Sequence, residues 1–94
     1  MGEPIRITSR VENEDNWIFQ VAVGEPRVLE YTVTVSQEVY RRLTGGAVPP
    51  ETLVERSFEF LLERESKEAI LRSFDLNVIS NYFPEYEDEI GKRL

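Results

Sequence analysis

The chain has 94 residues, 18 acids against 11 bases, a formal charge of −7, and neither cysteine nor histidine. That length holds one domain, residues 1–94, with a single core. The composition excludes disulfides and removes the side chains that most often ligate transition metals or shuttle protons near neutral pH.

Acids outnumber bases in every third of the sequence. No basic cluster exists to neutralise phosphates, so nucleic acid is not an expected partner. No run approaches the ~20 apolar residues that span a bilayer. The segment Met1–Arg6 lacks an apolar stretch of the kind found in secretory signals, and Arg6 stands where a myristoylation motif takes Ser or Thr. The expected location is the cytoplasm, with no membrane contact.

The first third alternates, as strands with one buried face do. Ile5, Ile7 and Val11 form one side of a first strand, with Arg6, Thr8 and Arg10 on the other. After a polar turn at Glu12–Asn16, a second strand places Trp17, Phe19, Val21 and Val23 inward. Gly24, Glu25 and Pro26 make the next turn. A third strand over 28–35 turns Leu29, Tyr31, Val33 and Val35 inward. Short connections favour antiparallel neighbours, which predicts a three-stranded meander over 5–35.

At Ser36 the period changes to 3.6. Ser36 is a good N-cap, and Val39, Tyr40 and Leu43 share a face of the helix it opens. Gly45 and Gly46 end that helix. Pro50 suits the first turn of the next one, which runs to about Glu65. Leu53, Val54, Phe58, Phe60, Leu61 and Leu62 give it an apolar arc of roughly 200°. One sheet face does not cover so wide an arc. The remainder must meet either the C-terminal segment or a second subunit.

The phase slips near Ser66, which predicts a break and then a short helix holding Ala69, Ile70 and Leu71. Asp75 is the next N-cap, followed by Leu76, Val78, Ile79, Tyr82 and Phe83, and Pro84 stops that helix. The helical part thus spans 37–83, and 84–94 reads as an acidic tail. The predicted fold is α+β, a three-stranded antiparallel meander followed by three or four helices packed on one sheet face.

No constellation of catalytic type emerges. Gly45 and Gly46 lack the Lys-Ser/Thr of a phosphate loop and read as a helix cap. Ser57 lies in the apolar arc with no histidine or cysteine to activate it, so it reads as a small residue that permits close packing. Arg41 and Arg42 read as a solvated pair. The acids Glu85, Glu87, Asp88 and Glu89 lack the alternating spacing and turn glycine of a Ca²⁺ loop. The expectation is no enzyme, no cofactor and no metal. The aromatic residues that precede and interrupt those acids make Tyr82, Phe83, Tyr86 and Ile90 the expected partner-binding residues, with a homodimer as the expected assembly.

Two resemblances accompany this reading. The order Tyr-Thr-Val-Thr-Val-Ser at 31–36, a short helix, Gly-Gly, then Leu-Val-Glu-Arg-Ser-Phe-Glu-Phe-Leu-Leu at 53–62 resembles a ribbon-helix-helix module, over about a third of the chain. That resemblance implies a strand from each of two subunits in the DNA major groove, with Thr32 and Thr34 reading bases and the second helix forming a dimer core. Residues 43–65 together with 70–86 resemble a family of small prokaryotic proteins for which no activity is established, so no role follows from it. The reading of the residues favours a small cytoplasmic interaction or regulatory protein. A ribbon-helix-helix-like DNA-binding regulator is the alternative.

Overall fold

A computed structural model describes residues 3–94 of the chain. Three strands, β1 (Ile5–Glu12), β2 (Asn16–Val23) and β3 (Leu29–Ser36), form the antiparallel meander. Two helices follow, α1 (Gln37–Thr44) and α2 (Pro50–Arg64). The chain then returns to the sheet as β4 (Ser73–Asp75), parallel to β3, giving a mixed sheet of order β1-β2-β3-β4. Two short helices close the chain, α3 (Ile79–Tyr82) and α4 (Tyr86–Arg93). The architecture is α+β with four strands rather than three. The connection through α1 and α2 is what allows a parallel neighbour, since parallel pairing needs a long crossover.

β4 lies within 37–83, the part the sequence reads as helical, and the short helix expected at Ala69, Ile70 and Leu71 does not form. Only one 3-10 turn forms, at Lys67–Ala69. The Lys67 carbonyl accepts from the Tyr31 hydroxyl at 2.5 Å and from the Ile70 N–H at 3.4 Å. The acceptor is used by β3, and the chain leaves the helix to pair with it, with Thr32 N–H donating to the Arg72 carbonyl at 2.8 Å. Three residues are too few to display an alternating pattern.

The predicted faces of β1 also need correction. Ile7 pairs with Val21 but Ser9 pairs with Gln20, so a bulge lies at Thr8. An extra residue reverses the faces beyond it. Ile5 and Ile7 stay inward, while Arg10 now pairs with Phe19 and Val11 with Ile18. Arg10 therefore reaches Glu51 on α2 at 2.7 Å and lies over the Trp17 ring, and Val11 is 52% exposed.

The helix signals act as read. The Ser36 hydroxyl accepts from the Val39 N–H at 3.0 Å. Gly45 adopts φ 64° and donates to the Arg41 carbonyl. Pro50 opens α2. Phe19, Val21, Leu53, Phe58 and Leu61 share one buried cluster. The helices meet the inward set of the strands: Phe58 packs on Tyr31 and Phe74, and Tyr40 of α1 meets Trp17 edge-on at 5.2 Å. On the opposite face Glu30 is exposed and Ile18, Gln20, Thr32 and Thr34 are half-buried.

A buried lysine ties three segments together. The Lys67 ammonium donates to the Glu3 carboxylate and to the Arg27 carbonyl, both at 2.6 Å. Gly24 makes room for it: a Cβ there would stand 2.4 Å from both Lys67 Nζ and the Arg27 carbonyl, at φ 110°. Gly24→Ala is expected to cost about 1–3 kcal/mol. Gly91→Ala, in α4 with open space around it, is expected to stabilise by about 0.5–1 kcal/mol. Urea melts of the two variants check the opposite signs. Equal shifts would refute the tight packing at Gly24.

Candidate interaction surfaces

Tyr82, Phe83, Tyr86 and Ile90 are separated by the fold. Tyr86 and Ile90 are buried in the core and leave no surface for a partner. They lie on α4, the segment read from sequence as an acidic tail. Tyr86 packs edge-on against Phe60 of α2 at 5.2 Å. Its hydroxyl lies 2.6 Å from Ser57 Oγ, which donates to the Leu53 carbonyl at 2.7 Å. The Ser57 proton is thus committed to Leu53, and Tyr86 is the donor to Ser57. Burial pushes the Tyr86 hydroxyl well above the ordinary tyrosine range, against a smaller opposing effect of Ser57. Sequence reasoning assigned Ser57 to close packing and missed this bond, because its partner lies 29 residues away.

Removing one partner of a buried bond strands the other, whereas removing both is nearly neutral. Ser57→Ala is expected to cost about 1–3 kcal/mol by stranding the Tyr86 hydroxyl. The Ser57→Ala/Tyr86→Phe double variant is expected to recover most of that loss. A double-mutant cycle by chemical denaturation checks it, and additive losses would refute the coupling.

Two ion pairs clamp α4 and the loop before it to α2. Arg93 makes a two-pronged contact to Glu63 at 2.6 and 2.7 Å, and Arg64 donates to Glu85 at 3.0 Å. The Arg93 hydrogen bond lowers the Glu63 carboxyl below its usual range. Its own backbone N–H and then Arg64 lower Glu85. Carboxyls lowered in the fold stabilise it above their unfolded range and lose that contribution as pH falls through the folded values. Amide exchange in α4 is therefore expected to quicken relative to the β2–β3 core below about pH 4. Arg93→Ala should narrow that difference. An α4 whose protection, relative to that core, ignores pH would refute the clamp.

Tyr82 is 66% exposed, and Phe83 is half-buried against Phe60, their rings 5.8 Å apart. These two residues line an apolar groove of about 180 Å³ between the end of α2 and residues 69–83. Leu61 and Ile70 contribute buried walls, and Leu71 stands on the rim at 51% exposure. Glu65 is its single charged lining residue among those described. Sequence reasoning placed Leu71 on a helix and missed its role. The adjacent Ile70-Leu71 pair was the available signal, since consecutive residues of an extended segment point to opposite sides. Ile70 turns in, so Leu71 turns out.

A second concave region runs between β1 and the solvent side of α2. One cleft of about 560 Å³ lies beside Ile5, Glu55 and Glu59, and another of about 410 Å³ lies beside the bulge, Glu51 and Glu55. Elsewhere, Thr32 and Thr34 sit inside the sheet, with β2 on one side of β3 and β4 on the other. The Thr32 hydroxyl donates to Gln20 Oε1 at 3.1 Å. A ribbon shared between subunits needs that strand free at an edge. Among the described residues, no group of three or more acidic side chains is gathered as a metal site, and no helix is long and apolar enough to cross a membrane. Comparison with models of known families, with curated proteins and with solved structures returned no match.

Proposed function

We propose that this chain is a small cytoplasmic, non-enzymatic interaction or regulatory protein that docks a protein partner on the groove at Tyr82 and Phe83. One observation carries the reading. Leu71 and Tyr82 are large apolar side chains, each more than half exposed, on the rim of a single apolar groove. Scattered exposed hydrophobics need no explanation, but two that flank a concave apolar surface mark a binding site.

The partner proposed first is a second copy. Tyr82 both lines the groove and projects from it, so a two-fold pair lets each Tyr82 enter the other's groove. Covering a large apolar side chain fully is worth about 1.5–3 kcal/mol. Four half-exposed side chains therefore offer roughly 3–6 kcal/mol, at the low end of the ~4–15 kcal/mol cost of association. A dimer held by these four side chains is therefore weak and reversible at most. The alternative, a DNA-binding regulator, draws no support from a chain of charge −7 whose Thr32 and Thr34 strand is paired on both sides.

Light scattering over a tenfold concentration range is expected to show mass rising from 11.0 kDa toward double. Tyr82→Glu should hold the monomer mass throughout with little change in melting, since the side chain is exposed. A wild-type mass fixed at 11.0 kDa would overturn self-association. Sub-micromolar, salt-sensitive binding to duplex DNA in fluorescence anisotropy would overturn the whole reading.

A further inference from the structure

We propose that the cleft between β1 and α2 is a second docking site, and that it takes an extended basic peptide segment alongside β1. This goes beyond the groove at Tyr82 and uses a different surface.

Three observations meet there. First, among the described residues β1 pairs with β2 alone, so its far edge presents unpaired backbone N–H and C=O groups, the template to which an extended peptide adds. The two clefts flank this edge along its length, one beside Ile5 and the other beside Thr8 and Arg10.

Second, the charge of the lining sets the sign of the partner. Five carboxylates and two guanidiniums line the two clefts. Glu51, Glu55, Glu59 and Glu63 recur at every fourth position of α2. Four helical residues rise about 6 Å, and two residues of an extended strand advance about 6.7 Å. Lysines at alternate positions of a strand beside β1 thus keep step with successive glutamates.

Third, the cation supply within the chain leaves one lining carboxylate over. Arg10 takes Glu51 Oε2, Arg56 takes Glu59, Lys67 takes Glu3 and Arg93 takes Glu63. Glu55, which lines both clefts, forms no ion pair among the described residues. An unpaired carboxylate open to both clefts is where an incoming ammonium gains most. The bulge at Thr8 splits the edge into two short runs, which suits a short peptide and disfavours long pairing between copies of the chain.

The test uses a blocked octapeptide of alternating lysine and threonine, a blocked octapeptide with the same lysines in one run, and a glutamate-threonine analogue. Titrations are followed by backbone amide shifts and hydrogen exchange of the full chain. The alternating peptide is expected to bind, to slow exchange at residues 5–12, and to weaken with salt. Exposed charge pairs are individually modest, so Glu55→Gln/Glu59→Gln should lower affinity about fivefold. Tyr82→Glu should leave it unchanged, which separates this site from the groove. Absence of binding overturns the proposal. So does equal binding of the lysine run without protection at 5–12, or equal binding of the glutamate analogue. The first of these two marks a diffuse charge effect and the second a charge-blind one.

Discussion

The structure depends on how much of α2 is apolar. A helix with one apolar stripe rests on a sheet and leaves its other side to water. α2 instead buries Leu53, Val54, Ser57, Phe58, Phe60 and Leu61. Phe58 faces the sheet, against Tyr31 and Phe74, and Phe60 faces away from it. The segment from Phe83 onward answers to that second side. Phe83 and Tyr86 meet the Phe60 ring edge-on, and the Arg64 guanidinium lies 3.7 Å from the ring's centre. Within one chain, the C-terminal segment supplies the cover that a second subunit would otherwise provide. The motive for association therefore moves from the helix arc to the rim of the groove, at Leu71 and Tyr82.

That cover is specific as well as apolar. The Ser57–Tyr86 bond fixes the register of α4 on α2, because a shift of one residue would leave the buried Tyr86 hydroxyl without its partner. The arginine pairs to Glu63 and Glu85 add little energy on an exposed surface, but they hold the same register from outside. Two of the acids after Pro84 thereby find partners within the chain. Glu85 and Glu63 meet arginines of the facing elements, and Glu87 meets Arg42 of α1 at 2.9 Å.

Legibility in the sequence followed range. Ser36, Gly45 and Pro50 act through neighbours within a few residues, and the helix limits they mark are where the periodicity puts them. The meander was legible because β3 alternates over eight residues and β2 over its first six. What failed was what depends on distant partners or on a single inserted residue. β4 exists because β3 has an edge to offer, and nothing in Ser-Phe-Asp announces it. The bulge at Thr8 exchanges the faces of Arg10 and Val11, and the alternation of Ile5, Ile7 and Val11 conceals it, since an odd-numbered series looks unbroken. Of the four residues expected at a partner surface, Tyr86 and Ile90 went to the core. Aromatic and aliphatic side chains carry the same signal whether they close a fold or open an interface. Only the position of α2 decides between them.

The two proposed surfaces also differ in what sustains them. The groove at Tyr82 is concave because β4 is short. Three paired residues anchor the chain to the sheet, and the flanking Ile70-Leu71 and Tyr82-Phe83 pairs each divide between core and rim. The cleft beside β1 is concave because the bulge turns Arg10 inward to Glu51, leaving the strand edge uncovered by any element that follows. One surface is apolar and grows weaker in the cold, and the other is charged and grows weaker in salt. A chain of this size has room for both because its core is closed from a single direction. With α2 between the sheet and α4, the opposite flanks of that helix are left to face outward.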